Sequence, residues 1–153
     1  MQVRSLILLL ALVAAGASPA HAQIGTTTSI GVGWATPQGD LDDAVDDGYT
    51  VRAQLGLSAL GLIQIHGQGG WTRFGAGSES ADDVDLLHAG VGARVGLGLV
   101  FVGANAVYFF GDGDDEVGFF PEIGVSLLML ELVADYNFSA DRDWFAVRAA
   151  LRL

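Results

Sequence analysis

Residues 130–153 read LELVADYNFSADRDWFAVRAALRL, two alternating runs joined by an acidic loop. In the first run Leu130, Leu132, Ala134, Tyr136 and Phe138 share one face, and Glu131, Asp135 and Asn137 share the other. In the second, Phe145, Val147, Ala149, Leu151 and Leu153 oppose Arg148 and Arg152. A period of two is the mark of a β-strand whose faces meet different surroundings. A hairpin centred between Asp141 and Arg142 sets Asp135 opposite Arg148 and Glu131 opposite Arg152, with Phe138 opposite Phe145 and Tyr136 opposite Val147. One register then pairs opposite charges on one face and apolar side chains on the other.

The rhythm extends upstream. Tyr49, Val51, Ala53, Leu55 and Leu57 alternate with Thr50, Arg52, Gln54, Gly56 and Ser58, and Ile63, Ile65 and Trp71 with Gln64, His66, Gln68 and Thr72. Eight such segments are expected near 26–36, 49–58, 61–74, 86–96, 99–110, 117–127, 129–138 and 144–153. The fifth has the weakest pattern, because Phe101, Val107 and Phe109 put apolar bulk on the face that Asn105 marks as polar. Connections alternate between long acidic loops and short apolar turns. Trp34, Tyr49, Trp71, Phe74, Tyr108, Phe110, Phe119, Tyr136, Phe138, Trp144 and Phe145 gather at the long-loop ends, as an interfacial girdle would. Pro121 falls inside the sixth segment on the apolar parity, where it cannot donate to a ladder, so a bulge or local distortion is expected there.

The polar face decides between a soluble sheet and a membrane barrel. It is crowded with Gly31, Gly33, Gly56, Gly90, Gly92, Gly96, Gly103, Gly118 and Gly124. Glycine weakens a strand unless another group must come close. In a narrow eight-stranded barrel, small residues inside make room for a few long polar ones. Those would be Arg52, Arg94, Arg148 and Arg152 against Glu122, Glu131 and Asp135. Charges inside are tolerated when paired, so a packed electrostatic core is expected rather than a selectivity filter. The fold class is all-β: an eight-stranded, antiparallel, up-and-down transmembrane β-barrel over 23–153.

The bulk properties agree. The chain has 153 residues, a formal charge of -11, no cysteine, and 51% hydrophobic residues, with a mean hydropathy of +0.44. Every basic residue is arginine. Arg4, the apolar run Leu6–Ala15 and Ala20-His21-Ala22 have the order of a cleavable signal peptide over 1–22, which implies export. No nucleic-acid partner is expected for so acidic a surface.

Candidate chemistry is sparse. His66 and His88 share the inward face, but the hairpin register separates them by roughly 13–20 Å, too far for a shared metal. No serine has the neighbouring base that a nucleophile needs, and no G-x-S-x-G element occurs, so no enzymatic role, no catalytic residue and no cofactor is expected. The loop carboxylates, above all Asp112, Asp114, Asp115 and Glu116, suit weak contact with Ca²⁺ or Mg²⁺ or simply a solvated surface.

Signal, eight alternating strands and aromatic girdle together make the chain resemble the small outer-membrane β-barrel superfamily, which includes the OmpA membrane domain and OmpX. The resemblance covers 23–153 and is one of pattern. Its members end in an alternating run closed by an aromatic residue, which serves recognition by the barrel-assembly machinery; here Leu153 stands in that place. The resemblance implies a monomer in the outer membrane of a Gram-negative-type cell, in contact with lipid and lipopolysaccharide, with a structural or surface-interaction role. A lipid A-modifying barrel enzyme is the alternative, and a narrow ion-conducting pore a further one.

Overall fold

The computed structural model describes residues 24–77, 82–111, 116–140 and 142–153. The expected signal segment 1–22 lies outside the described residues, as do Asp112, Asp114 and Asp115. The strands are β1 (Ile24–Gln38), β2 (Val45–Ala59), β3 (Ile63–Ala76), β4 (Val84–Leu97), β5 (Val100–Gly111), β6 (Glu116–Leu127), β7 (Leu130–Asn137) and β8 (Asp143–Arg152). Each pairs antiparallel with the next, and β1 closes on β8, giving an eight-stranded up-and-down barrel. Closure leaves no strand edge unpaired, which is the condition for a sheet to stand in hydrocarbon. A 3₁₀ turn, Gly39–Leu41, tucks Leu41 over the long-loop end.

The alternation read in the sequence sets the two faces. Arg52 is 1% exposed, while Leu55, three residues on, is 66% exposed. Apolar side chains face out and most polar ones face in, the reverse of a water-soluble domain. The inward glycines are steric necessities. A Cβ at Gly103 would lie 2.8 Å from Arg94 Cγ and 2.9 Å from Glu122 Oε1, and one at Gly33 would lie 2.5 Å from Arg148 Cγ. These glycines vacate the volume that the arginine stems occupy.

The register of the last hairpin needs correction. The last hairpin pairs Val133 with Arg148, Asp135 with Ala146 and Glu131 with Ala150, two residues from the expected register. On the outer face Tyr136 meets Phe145 and Ala134 meets Val147. The loop explains the offset. Asn137 Nδ2 donates to the Arg142 carbonyl at 2.7 Å and Ser139 N–H donates to Asp143 Oδ1 at 3.1 Å, fixing the turn one residue nearer the N-terminus. A two-residue shift keeps every side chain on its face, so the hydrophobic pattern does not resist it.

At Pro121 the expected local distortion is present, and it takes the form of an interrupted ladder. No bulge forms. Glu122↔Asp135 and Phe119↔Phe138 obey one register, and the β6–β7 ladder simply lacks rungs at Phe120 and Pro121. The proline removes one donor without inserting a residue. The register shift that does occur lies in β2, between Asp46 and Gly48.

Candidate functional site

The barrel interior holds two polar networks side by side, with an aromatic cluster toward the long loops. Nearest the short turns is a charged layer. Arg94 bonds to Glu122 through Nε, and its Nη1 donates to Glu131 Oε2 at 3.1 Å. Arg152 Nη1 stands 3.8 Å from Glu131 Oε1, a looser contact at the rim. Arg148 Nη2 lies 3.6 Å from Glu122 Oε2 and 2.7 Å from Asp135 Oδ2. Arg52, from the opposite wall, donates to Asp135 Oδ1 at 3.1 Å. The result is an alternating chain of charges, Arg152–Glu131–Arg94–Glu122–Arg148–Asp135–Arg52. Each buried charge keeps an opposite neighbour, as burial demands. Of the expected pairs, Asp135 and Arg148 are brought into tight contact and Glu131 and Arg152 into loose contact, both diagonally rather than across a rung. The bridging roles of Arg52, Arg94 and Glu122 were beyond hairpin arithmetic, because those contacts include ones across the lumen between strands that are not neighbours.

Beside it runs a layer of amides and imidazole. Ser29 Oγ donates to Gln54 Oε1 at 3.2 Å, and Gln54 Nε2 donates to Gln68 Oε1 at 3.2 Å. Asn105 Nδ2 donates to the Phe120 carbonyl, which leaves its Oδ1 to accept from His66 Nε2 at 2.7 Å. His66 pairs with Gly92 and His88 with Gly70, four residues apart along β4, or about 13 Å at strand rise. Among the described residues no group of three metal-ligating side chains occurs.

Toward the long loops the interior turns aromatic. Trp144 meets Phe74, Phe109 and Phe120 edge-on, with centroids 5.7, 5.3 and 5.8 Å apart. His88 sits under this cluster against Phe109 and Phe120. The Arg52 guanidinium lies 4.6 Å above the Phe120 ring, an attractive contact for a cation over a π face. Leu41, Val45 and Leu86 complete the plug. Phe74 and Trp144 therefore leave the expected girdle: both are fully buried and point inward. Their even numbers match the parity of Thr72 and Arg148, a signal that was present in the sequence. The apolar bulk of Phe101, Val107 and Phe109 likewise belongs to the lumen.

Outside, Trp34, Tyr49, Tyr108, Phe110, Phe119, Phe138 and Phe145 are exposed in a ring below the long loops. Tyr49 packs edge-on to Trp71 at 5.2 Å, and Trp71 Nε1 donates to Asp85 at 2.8 Å. Above the ring, Arg73 pairs with Asp83 at 2.5 Å, and the Ala76 N–H donates to the other Asp83 oxygen at 3.1 Å. The Arg73 bond, with the Ala76 N–H, holds the Asp83 carboxyl below the usual carboxylate range. Of the acidic cluster raised above as a divalent-cation contact, only Glu116 is described, and Arg142 Nε stands 3.7 Å from it. That contact partly satisfies a carboxylate otherwise suited to a cation.

No family model matches the sequence, and no curated relative does either. Solved structures do match. A de novo designed transmembrane β-barrel superposes with a TM-score of 0.56 at 14% identity, covering 86% of this chain and 98% of its own. Neisserial surface protein A gives 0.52 at 16%, covering 88% and 99%. The Yersinia pestis outer membrane protein Ail, in a phospholipid bilayer nanodisc, gives 0.58 at 12%, covering 84% and 100%. At such identities the likeness is one of fold. The chain has the small eight-stranded barrel fold found in outer-membrane proteins.

Proposed function

We propose that the protein is a non-enzymatic outer-membrane barrel with a structural or surface-interaction role, in envelope integrity or adhesion, its long acidic loops outside the cell. Its partners in this reading are outer-membrane lipid and lipopolysaccharide, with the barrel-assembly machinery acting during biogenesis and a cleaved signal over 1–22. The observation that carries it is the inverted wall: Arg52, Arg148 and Asp135 buried, and Val32, Leu55, Val91 and Leu132 exposed. Only a surrounding of hydrocarbon makes that arrangement favourable. The architectural likeness to Neisserial surface protein A and to Ail, the "attachment invasion locus protein", supports a surface role.

The interior supports occupancy by side chains rather than by a solute. An aromatic plug above a layer of paired charges favours a non-conducting barrel over a pore. His66 bonds to Asn105 and His88 is enclosed by rings, which favours packing over activation of a nucleophile. Membrane fractionation combined with heat-modifiable gel migration tests the reading. The protein should appear in the outer-membrane fraction and migrate faster before boiling; a soluble fraction with unchanged migration would refute it.

A further inference from the structure

The short-turn end of the barrel is unlike a surface meant for water. Its three turns read Ala59-Leu60-Gly61-Leu62, Leu97-Gly98-Leu99 and Leu127-Leu128-Met129-Leu130. None contains a charge, an amide or a hydroxyl. Leu60 and Leu128 hold positive φ, at 56° and 58°. Leucine disfavours that region, and a two-residue hairpin in water usually places Asn, Asp or Gly there. Leu128 is 97% exposed. Turn chemistry has therefore been set aside for apolarity at the tips.

The vertical dimension says what surrounds those tips. Nine residues separate Tyr108, in the aromatic ring, from Leu99; at about 3.3 Å per residue and a tilt of about 40° they rise about 23 Å. The apolar band of such barrels is about 25 Å tall. Measured down from the ring, it ends at the turns themselves. The turn end has no exposed aromatic belt among the described residues, and Phe101 there points inward beneath Arg94. Charge is distributed in the same sense. The described exposed side-chain carboxylates stand at the long-loop end. The cavity of about 80 Å³ at the turn end has Ser58, Gln64, Glu131 and Arg152 in its wall, and its one substantially exposed charge is cationic, Arg152 at 39%. That cation complements lipid phosphate.

We propose that the three leucine turns are seated in the periplasmic leaflet of the membrane, at the boundary of acyl chains and headgroups, so that phospholipid covers this end of the barrel. The inference rests on the membrane-spanning reading above. The barrel is thus anchored by unlike devices at its two ends: aromatic rings below the loops, aliphatic turn tips at the other interface.

The chain has no native cysteine, so single nitroxide labels report depth cleanly. Leu60→Cys, Leu128→Cys, Ala149→Cys and Asp43→Cys are labelled in the full barrel, refolded into phosphatidylethanolamine–phosphatidylglycerol vesicles, and compared for collision with oxygen and with a water-soluble nickel chelate. Labels at 60 and 128 should favour oxygen several-fold more than the label at 43. Turn labels as accessible to nickel as the one at 43, with the Ala149→Cys label still in lipid, would overturn the proposal and leave the spanning reading intact. A water-exposed label at 149 would remove both. Close dipolar coupling between turn labels would mean a second copy as occupant and also overturn it. Leu60→Asn gives a second reading, since Asn-Gly is a favoured water-exposed turn. Its urea midpoint in vesicles should fall; a rise would refute insertion.

Discussion

Arg148 donates twice to one oxygen of Asp135, from Nε at 2.9 Å and from Nη2 at 2.7 Å, although the β7–β8 ladder pairs neither residue with the other. The guanidinium reaches diagonally, one ladder step along, into a space that the glycine at position 33 leaves open. Their union is therefore a property of side-chain length and local vacancy more than of strand pairing.

Removing one partner strands a buried charge, a loss of about 3–5 kcal/mol for pairs of this kind. Arg148→Leu should lower stability to urea by that order. Asp135→Leu in the same chain should recover only part, because Arg52 also depends on Asp135. A double-mutant cycle measures it: a coupling energy of about 1–3 kcal/mol is expected, and strict additivity would contradict the contact.

Neighbouring alanines near the end of β8 should respond oppositely. Ala149 faces outward and Ala150, 5% exposed, faces the lumen, where its Cβ would be 2.9 Å from one added at Gly31. Ala149→Leu should leave stability in vesicles nearly unchanged, while Ala150→Leu overpacks the interior and should cost about 1–3 kcal/mol. Ala149→Arg, by contrast, should cost about 2–4 kcal/mol if the site lies near the midplane. Refolding yields and urea midpoints in vesicles distinguish the three.

Gly103→Ala should be destabilising out of proportion to one methyl group. The added carbon meets the Arg94 stem and a Glu122 oxygen, two groups already committed to each other. Overpacking of this kind costs about 1–3 kcal/mol. A normal urea midpoint for this variant would show that the charged layer has slack.

The Arg73–Asp83 contact gives a pH dependence in the loops. The folded-state pKa of Asp83 is depressed, so its contribution is present above the unfolded carboxylate value and lost as pH falls through the lower folded value. Both partners are well exposed, so the effect is local to the β3–β4 loop rather than global. Exchange protection of the Ala76 amide should fall on acidification, and Asp83→Asn should abolish that fall. Protection insensitive to pH in the parent would refute it.

Parity, strand number and the identity of each face are determined by the sequence alone, because a period-two pattern has only two phases and each inward glycine or charge votes for one. Eight runs with alternating long and short links leave little choice but a closed up-and-down barrel. Register along each strand was another matter. A slip of two residues preserves both faces, so the pattern is blind to it, and the β7–β8 offset was set by hydrogen bonds of Asn137 and Ser139 in the loop. Phe74 and Trp144 stand at the height of the girdle but on the inward phase of their strands, so position along the strand alone misplaces them. Which charge meets which was decided by the tertiary structure, since Arg52 reaches Asp135 across the lumen from a strand 83 residues away. Sequence patterning acts along one strand or one hairpin; a barrel interior is where all eight strands meet, and only closure brings its groups within bonding distance.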